Sequence, residues 1–574
     1  MLERLFPIAG QLRGYDRAAL QGDLSAGLTV GVMLIPQGMA YALIAGVPPI
    51  YGLYAALVPL VVYALMGSSR QLAVGPVAMV SLLVAAGVSP LAEGDPERYV
   101  ALTFTLAFMV GVLQAALGIL RFGFLTNFLS HPVLAGFTSA AALIIGGSQL
   151  RHLVGVDLPG SAPLPEIVVS LLTRLGEVHL PTLVLGLLGI AVIVGLKRWR
   201  KTFPGALAVV VLGTLAVVLL GLDGQGVRTV GAIPAGLPAP TLPVLERDAL
   251  LALLPTALTI ALVGFMESIA VAKVYATRHR YPLDANQELR ALGAANLAGA
   301  FFQAFPTTGG FSRTAVNDQA GARTTVASLV AAGVVALTLL FLTGLFERLP
   351  NAILAAIVMT AVASLFDWKE ARHLWHVDRR DLAMMAITFG ATLALGIEEG
   401  ILAGVLVSLG ALIYQNSRPH AAVCGRLPDS ATFRDVRHHP EATCTPGVTV
   451  FRIDAPLTFA NASFLRERVE ALLEAEPPPR AFVFDFQAVG ALDSTAGHAL
   501  ADLLAECRRR GVEPFFAAVK QTVRERMHRL HLDAALPPGR FFHEVAEAAE
   551  AAEALVYDAV PASPEPLADE TAHA

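Results

Sequence analysis

Most of the chain up to residue 417 consists of long apolar stretches joined by short polar connections. Fourteen stretches carry little or no charge, and a helix needs about 20 such residues to cross the hydrocarbon core of a bilayer. The pattern therefore predicts a polytopic α-helical membrane protein in which some spans are shorter than average. The predicted spans are residues 24–44, 49–66, 72–88, 99–120, 124–149, 181–196, 203–222, 249–272, 288–304, 312–322, 324–346, 350–366, 381–397 and 400–415.

The pattern changes near Arg418. Of the first 419 residues 49 are charged, about 12%, whereas 38 of the remaining 155 are charged, about 25%, an ordinary value for a soluble domain. In this second part we predict buried strands at 448–453, 481–486 and 514–519, and helices at 464–475 and 495–510. Because strands and helices alternate, they indicate a small soluble α/β domain.

These patterns divide the chain into four parts: an N-terminal segment 1–23, a membrane domain 24–417, a soluble domain 430–558 and a Pro-rich tail 559–574 that is predicted to be disordered. The first 23 residues mix both charges, which predicts a surface helix and gives no sign of a cleavable signal peptide. With fourteen spans, nineteen of the 26 Lys and Arg residues before residue 420 fall on the side of the termini. The positive-inside rule then predicts a multi-pass protein of the plasma (inner) membrane with both termini in the cytoplasm.

Composition and motifs argue against several functions. The formal net charge is −5, so no basic excess indicates a nucleic-acid partner. Without a Walker A motif, an HExxH motif or a GxGxxG motif at a strand-to-helix turn, we predict neither an enzyme nor a cofactor. No spacing typical of a metal site is present, and we expect Cys424, Cys444 and Cys507 to be free thiols.

Two segments interrupt the apolar pattern in the same way. Gln71–Pro76 precedes a short apolar run that ends near Gly87, and Ala304–Arg313 precedes the weakly apolar run 314–322. Each predicts a short extended piece, a break at Pro or Gly, and then a half-helix. The two breaks fall in the third and tenth spans, which are the third span of each seven-span half. Because seven is an odd number, the second half has the opposite orientation in the membrane to the first. Paired breaks of this kind indicate a transporter binding site near the middle of the membrane.

The half-helices favour an anion as the substrate. The N-terminus of a helix carries unpaired N–H groups and the positive end of its dipole, so two N-termini directed at one point form an anion site. The alternative is that Gly and Pro merely kink these helices, as they often do in membranes. The matching positions in the two halves favour the binding site.

Several motifs together resemble the signature of the SulP family of anion transporters, also called solute carrier family 26. The motifs are IPQGMAYA at 35–42, PIYGLY at 49–54 followed by Tyr63, GSS at 67–69, GPVA at 75–78, and SRTAVN at 312–317 with AGART at 320–324. The resemblance covers nearly the whole chain apart from a short piece at either end.

The resemblance implies a fourteen-span anion transporter or exchanger built from 7+7 inverted repeats, with core and gate subdomains, a cytoplasmic STAS domain and a homodimeric assembly. Substrates across the family include sulfate, bicarbonate, chloride, oxalate and dicarboxylates. For this chain we expect a small oxyanion, with sulfate or a dicarboxylate such as fumarate ahead of bicarbonate. The lipid bilayer and a cytoplasmic protein that binds the STAS domain are further expected partners.

Polar residues inside the predicted spans are the candidate ligands. Arg313 lies just inside the second half-helix, where a charge is costly and indicates function, although a structural pair with a nearby acid is the alternative. Gln37 and Tyr41 are four residues apart and share one face of the first helix, and a helix–helix hydrogen bond is their alternative role. The predicted substrate site comprises Gln37, Tyr41, Gly75, Pro76, Val77, Ala78, Phe311, Ser312, Arg313 and Thr314.

Glu267 is the candidate proton-coupling residue. It lies within the eighth span, too deep for its short side chain to reach water comfortably. Burial favours the uncharged form of a carboxyl, so such a group can take up a proton near neutral pH, and the resemblance implies an acid at this position in proton-coupled members. The alternative is a permanent ion pair with Arg313.

Together these residues predict secondary active symport of protons and an anion by alternating access. An anion exchanger and an anion channel are the alternatives. A membrane sensor that signals through the STAS domain is a weaker alternative, because a mere anchor needs no broken spans.

Ser494 follows Asp493 at a predicted strand-to-helix turn and resembles the loop that is phosphorylated in signalling relatives of the STAS domain. The alternative, which we favour, is an ordinary N-cap in which Asp493 or Ser494 satisfies the free N–H groups of the helix. No candidate substrate ligand lies in this part of the chain.

Overall fold

The computed structural model describes residues 6–127, 130–158, 164–199, 205–534 and 536–558. The chain forms two compact units, Met1–Ser408 and Leu409–Ala574. The tail 559–574, predicted to be disordered, and residues 1–5 of the predicted N-terminal segment lie outside the described residues.

Among the described residues up to 417, the regular elements are helices apart from two very short strands. Each of the fourteen predicted spans contains a helix, and two further helices, α8 and α16, lie in predicted connections. In chain order the elements are α1 (Ile8–Gln11), α2 (Arg17–Ile44), α3 (Pro49–Ala55), α4 (Val58–Met66), β1 (Val74–Gly75), α5 (Ala78–Val88), α6 (Pro96–Ile119), α7 (His131–Val154), α8 (Leu164–Thr173), α9 (Leu180–Trp199), α10 (Gly205–Leu220), α11 (Arg247–His279), α12 (Ala285–Phe301), β2 (Thr308–Gly309), α13 (Phe311–Gln319), α14 (Val326–Leu337), α15 (Asn351–Val362), α16 (Trp368–Val377), α17 (Arg379–Leu395) and α18 (Ile397–Ser417).

Seven of the described helical segments are long and apolar enough to cross a membrane by length and composition alone. They are α2, the α3–α4 pair, α6, α7, α9, α11, and α14 with its continuation to Phe346. The broken spans predicted from the sequence are present as the short helices α5 and α13, each directly preceded by one of the two strands.

Helix α2 begins at Arg17 rather than near residue 24. The Asp16 carboxylate caps it by accepting a hydrogen bond from the Ala19 N–H at 2.7 Å. Asp23 therefore lies inside a continuous helix and is fully buried. The prediction of a surface segment that extends to residue 23 is wrong at this residue.

Helix α2 contacts both half-helices, α5 and α13. It also packs closely on α14, because a Cβ atom at Gly27 would lie only 2.4 Å from the Cβ atom of Val330. Only glycine permits such an approach of two helices. The packing fixes the position of the α2 segment that carries Gln37 and Tyr41.

The second unit is an α/β domain around a six-stranded sheet with strand order β4-β3-β5-β6-β7-β8. Strand β3 pairs antiparallel with β4 and β5, whereas β5 to β8 are parallel. Apolar residues of α19, α20 and α21 cover one face of the sheet, and those of α22 cover the other. The elements are β3 (Ala421–Arg426), β4 (Phe433–Asp435), β5 (Val448–Ile453), α19 (Ala462–Leu473), β6 (Ala481–Asp485), α20 (Ser494–Arg509), β7 (Glu513–Ala517), α21 (Gln521–Arg529), β8 (Phe541–Phe542) and α22 (Val545–Asp558).

The three predicted strands and two predicted helices of this domain are all present. The sheet nevertheless begins at Ala421, ahead of the expected boundary at residue 430. Strands β4 and β8 have three and two residues, which is too short for an alternating pattern to be recognised.

Candidate functional site

The two broken spans are joined to each other at their strands. Strand β1 pairs antiparallel with β2, with Val74 opposite Gly309 and Gly75 opposite Thr308. Thr314 strengthens this junction, since its hydroxyl accepts a hydrogen bond from the Ala73 N–H at 3.1 Å and donates one to the Gly310 carbonyl at 2.8 Å. Antiparallel pairing is the arrangement expected for equivalent segments of two inverted halves.

Both half-helices begin beside this junction without a side-chain cap. The N-cap residue of α5 is Val77 and that of α13 is Gly310, and neither supplies a side-chain hydrogen bond to the first turn. The first N–H groups of each helix are therefore available to a ligand, and each terminus adds the positive end of a helix dipole. The two breaks predicted from the sequence thus lie side by side, and the anion site inferred from them stays a prediction.

Arg313 lies in the first turn of α13 and is 2% exposed. Its Nη1 atom donates a hydrogen bond to the carbonyl of Pro76 at 2.6 Å, which links the guanidinium to the start of α5. Its Nε and Nη2 atoms are buried without a hydrogen-bond partner. A Cβ atom at Gly310 would lie only 2.8 Å from Nη2, so glycine leaves the room that the guanidinium occupies. Arg313 is thus a buried cation with N–H donors that lack an acceptor.

Gln37 and Tyr41 of α2 face the same region. Both side chains are buried, and Oε1 of Gln37 has no hydrogen-bond partner. The phenol of Tyr41 interacts electrostatically with Arg313 and Glu267. The helix–helix hydrogen bond considered for Gln37 is therefore not made by its carbonyl oxygen.

The remaining predicted residues separate into two groups. Gly75, Pro76, Val77 and Ala78 are buried at the start of α5, next to Arg313. Phe311 and Ser312 are exposed, Phe311 to 56%. Helix geometry turns these two side chains away from the buried face that carries Arg313, and their predicted contact with the substrate stays a prediction.

Glu267 lies on α11 and is partly buried. Its Oε2 atom is enclosed without a hydrogen-bond partner, and its carboxyl interacts electrostatically with Arg313. Among the described residues, no ion pair within 4.0 Å joins it to Arg313. The two charged groups thus lie near enough to interact but form no direct ion pair.

A polar network that the sequence does not reveal attaches α11 to the strand junction. The Ser268 hydroxyl, next to Glu267, accepts a hydrogen bond from the Gly309 N–H at 2.8 Å and lies 2.6 Å from the Thr308 hydroxyl. Thr308 in turn donates to the Gly264 carbonyl at 2.5 Å. These bonds attach the part of α11 that carries Glu267 to the strand junction.

Two buried carboxylates hold the loops beside the broken spans. Glu288 of α12 accepts hydrogen bonds of 2.7 to 3.0 Å from the Tyr63 hydroxyl, from the N–H and hydroxyl of Ser68, and from the Ser69 N–H. Asp23 of α2 accepts from the N–H groups of residues 323 and 324, after α13. Both acids lie near the ends of predicted spans, and the backbone N–H groups that they bind are more than 200 residues away in the chain. Asp23 also accepts a hydrogen bond from the nearby Tyr15 hydroxyl at 3.0 Å.

In the second unit, Asp493 and not Ser494 caps helix α20. The Asp493 carboxylate accepts hydrogen bonds from the Ala496 N–H at 2.8 Å and from the Phe459 N–H at 2.6 Å. Ser494 is the first residue of the helix and is exposed. The expected capping role therefore belongs to its neighbour. The three cysteines are free, as predicted.

Two protein-family models match this chain. The model of the Sulfate permease family matches residues 20–388, and that of the STAS domain matches residues 439–548. "Sulfate transporter 4.1, chloroplastic" of Arabidopsis thaliana is 40% identical over 531 residues, which cover 89% of this chain and 77% of the relative. A probable sulfate transporter of Mycobacterium tuberculosis is 40% identical over 523 residues, which cover 91% of this chain and 93% of the relative.

Solved structures show the same fold. The murine Solute Carrier 26 family member A9 anion transporter in the inward-facing state superimposes with a TM-score of 0.89 at 25% identity, covering 96% of this chain and 94% of the other. The transmembrane domain of the cyanobacterial bicarbonate transporter BicA superimposes with a TM-score of 0.60 at 27% identity, covering 69% of this chain and 99% of that domain. The chain therefore belongs to the sulfate permease (SulP, solute carrier 26) family of membrane anion transporters and carries a C-terminal STAS domain.

Proposed function

We propose that this protein is a secondary active transporter that carries sulfate together with protons by alternating access. The observation that supports it best is the Arg313 guanidinium, buried beside two uncapped half-helices with two nitrogen atoms lacking a partner. A buried charge without partners is costly. A bound anion would supply the missing acceptors and the opposite charge, so the site is best completed by its substrate.

Sulfate is the favoured anion for two reasons. The relatives that cover most of this chain are named sulfate transporters. A tetrahedral dianion also accepts hydrogen bonds in several directions at once, which suits donors that converge from Arg313 and two helix termini. A dicarboxylate such as fumarate, which spreads its charge over two ends, is the second candidate, and bicarbonate is the third.

Proton coupling would solve an energetic problem. Moving one negative charge inward against a negative-inside potential of 100 mV costs about 2.3 kcal/mol, and sulfate carries two charges. Protons that enter with the anion offset this cost. Glu267 is the acid best placed to take up a proton, because it adjoins the Arg313 region and its Oε2 atom has no hydrogen-bond partner.

For its cellular setting we propose a homodimer in the plasma (inner) membrane with both termini in the cytoplasm. The distribution of Lys and Arg among the loops supports the orientation, and the family resemblance supports the dimer. A cytoplasmic protein that binds the STAS domain would be a further partner.

The proposal is tested with purified protein in proteoliposomes. We expect saturable uptake of radioactive sulfate that rises with an inward proton gradient, needs no sodium, and is inhibited more strongly by selenate or thiosulfate than by fumarate or bicarbonate. Empty liposomes serve as the control. Uptake that requires a trapped counter-anion would indicate an exchanger instead, and charge movement far above the sulfate flux would indicate a channel.

A further inference from the structure

Two histidines and an aspartate meet at one end of the sheet in the second unit. His420 directly precedes strand β3, Asp435 ends strand β4, and His438 lies in the turn that follows. One possible ligand atom from each residue lies within 4.8 Å of those of the other two. The antiparallel pairing of β3 with β4 brings these groups together although they are separated in the chain.

The distances within this cluster suit a bound metal ion. Oδ2 of Asp435 lies 3.0 Å from Nδ1 of His438 and 3.4 Å from Nε2 of His420. Zn²⁺ binds histidine nitrogen and carboxylate oxygen at about 2.0–2.2 Å in tetrahedral geometry, which places neighbouring ligand atoms roughly 3.4 Å apart. Small side-chain rotations therefore suffice to seat an ion among the three groups.

A second carboxylate orients the first histidine. Nδ1 of His420 lies 2.9 Å from Oδ2 of Asp454, which directly follows strand β5. When Nδ1 donates its proton to Asp454, the unprotonated Nε2 atom faces Asp435. Histidines that bind metals commonly donate their other ring N–H to a carboxylate in this way. The competing arrangement is a protonated His420 that bridges the two acids without any metal.

The cluster is both anchored and accessible. The Asp435 side chain is 7% exposed, and its Oδ1 atom accepts a hydrogen bond from the Arg437 N–H at 2.9 Å, so its orientation is fixed. The side chains of His420 and His438 are 51% and 72% exposed. An ion can thus enter from solvent, and water can occupy the fourth position.

We propose that His420, Asp435 and His438 form a binding site for a divalent transition-metal ion, with Zn²⁺ as the best fit. Two imidazoles and one carboxylate are ligands that suit Zn²⁺, whereas Mg²⁺ and Ca²⁺ prefer oxygen ligands alone. The ion joins the segment just after α18 to the end of strand β4, and Asp454 adds strand β5 through its bond to His420. The spacing of these residues matches no common metal motif, which explains why the sequence alone predicts no metal here.

The test measures Zn²⁺ binding to the full-length protein in detergent, purified through a histidine-free tag and freed of metal with a chelator. Calorimetry and elemental analysis should show one Zn²⁺ per chain. His420→Gln and His438→Gln should each weaken binding at least tenfold, and Asp454→Asn should weaken it roughly 10- to 100-fold, as is typical when such a supporting carboxylate is lost.

Two variants control for other ligands. His439 is adjacent to His438 but lies 3.0 Å from Glu441 and outside the cluster, so His439→Gln should leave the affinity unchanged. Cys444 is an exposed thiol of the same domain, and Cys444→Ser should likewise bind Zn²⁺ normally. Loss of binding in Cys444→Ser would assign the metal to a thiol and overturn the proposal.

Substitution by Co²⁺ checks the geometry, because tetrahedral Co²⁺ with nitrogen and oxygen ligands absorbs strongly in the visible range. This absorption should appear in the wild-type protein and in His439→Gln, and disappear in His438→Gln, whose exposed ring can be replaced without affecting folding. The metal site would be contradicted if the wild-type protein failed to bind one Zn²⁺ per chain, or if a His420→Gln/His438→Gln double variant bound Zn²⁺ normally. His420 would then serve as a protonated bridge between the two acids.

Discussion

At the scale of single residues, Arg313 makes one hydrogen bond, to the carbonyl of Pro76, although a guanidinium has five N–H donors. We expect Arg313→Ala to weaken sulfate uptake at least tenfold, because a charged hydrogen bond to a buried anion is worth about 2–5 kcal/mol. Arg313→Lys should give an intermediate loss, since lysine keeps the charge but not the planar fork of donors. Uptake against sulfate concentration in proteoliposomes measures the effect.

The matched control is Arg323→Ala, which removes an exposed arginine that follows the same half-helix. Its sulfate uptake should equal that of the wild-type protein, and both variants should insert and elute as folded protein. An unchanged apparent affinity in Arg313→Ala would show that the guanidinium has no role in holding the anion.

The three thiols provide a test of the second unit. Burial raises the pKa of the Cys507 thiol to about 12 and that of the Cys424 thiol to about 11, so neither forms a reactive thiolate at pH 8. We expect a disulfide reagent to modify only exposed Cys444 in the folded protein, and all three thiols after denaturation. Cys444→Ser should abolish the fast reaction. Rapid labelling of two or more thiols under native conditions would contradict the packing of β3 and α20.

Residue types and spacing were sufficient to predict some of these groups and not others. Arg313 and Gln37 stand out because a charge or an amide within an apolar span is rare and needs a reason. The main contacts of Glu288 and Asp23 could not be predicted, because both acids bind backbone N–H groups of distant loops and such contacts leave no pattern in the sequence. The cap of α20 was left open between Asp493 and Ser494 for a related reason, since both residues can cap and only the geometry selects Asp493.

At the scale of elements, the loop before strand β1 depends on Glu288, whose carboxylate accepts four hydrogen bonds. In Glu288→Gln one acceptor oxygen becomes an NH₂ group that faces a donor, and a buried unsatisfied donor costs about 1–3 kcal/mol. We therefore expect a lower melting temperature and reduced sulfate uptake, because β1 supports the start of α5. Thermal unfolding in detergent measures the change.

Glu347→Gln makes the same chemical change at an exposed acid of the first unit and should leave the melting temperature unaltered. Equal stability of Glu288→Gln and the wild-type protein would show that the loop needs no carboxylate.

Some helices and strands could be predicted from the sequence pattern and others could not. The half-helices were predictable because Pro and Gly interrupt apolar runs at matching places, and strands β5 to β7 because apolar runs alternate with helices. The pairing of β1 with β2 could not be predicted, since each strand has only two residues and the two strands lie far apart in the chain. Strand β3 was missed because an antiparallel strand at the start of the sheet lies outside the repeating β/α order.

At the scale of the whole molecule, all candidate substrate ligands lie in the first unit. A protein that ends after residue 417 should therefore bind sulfate with unchanged affinity, although its transport rate can differ. A protein that ends at residue 430 should aggregate more readily, because it keeps β3 without its partners β4 and β5 and so exposes an unpaired strand. Binding assays and size-exclusion profiles of the two truncations test this. Loss of sulfate binding by the well-folded shorter protein would contradict an independent transport unit.

The proposed energy coupling also belongs to the whole molecule, because it would link an acid on α11 to the proposed anion site at the start of α5 and α13. With the anion absent, the positive field of Arg313 and the helix termini opposes protonation of Glu267. A bound dianion cancels that field, so the proton binds more readily, and by thermodynamic linkage the proton must strengthen anion binding by the same factor. We therefore expect sulfate uptake to rise as the external pH falls and to need no sodium.

Glu267→Gln isolates the carboxyl, because the amide has the same shape but cannot release a proton. This variant should bind sulfate, keep the contacts of Ser268 with the strand junction, and take up sulfate at a rate that no longer responds to a proton gradient. Ser268→Ala is the useful contrast, since it removes the support of the junction and leaves the carboxyl, so its uptake should be slower but still pH-dependent. Sodium-dependent uptake, or a normal pH response in Glu267→Gln, would refute coupling through this residue. The anion site at Arg313 would remain, because its donors do not depend on Glu267.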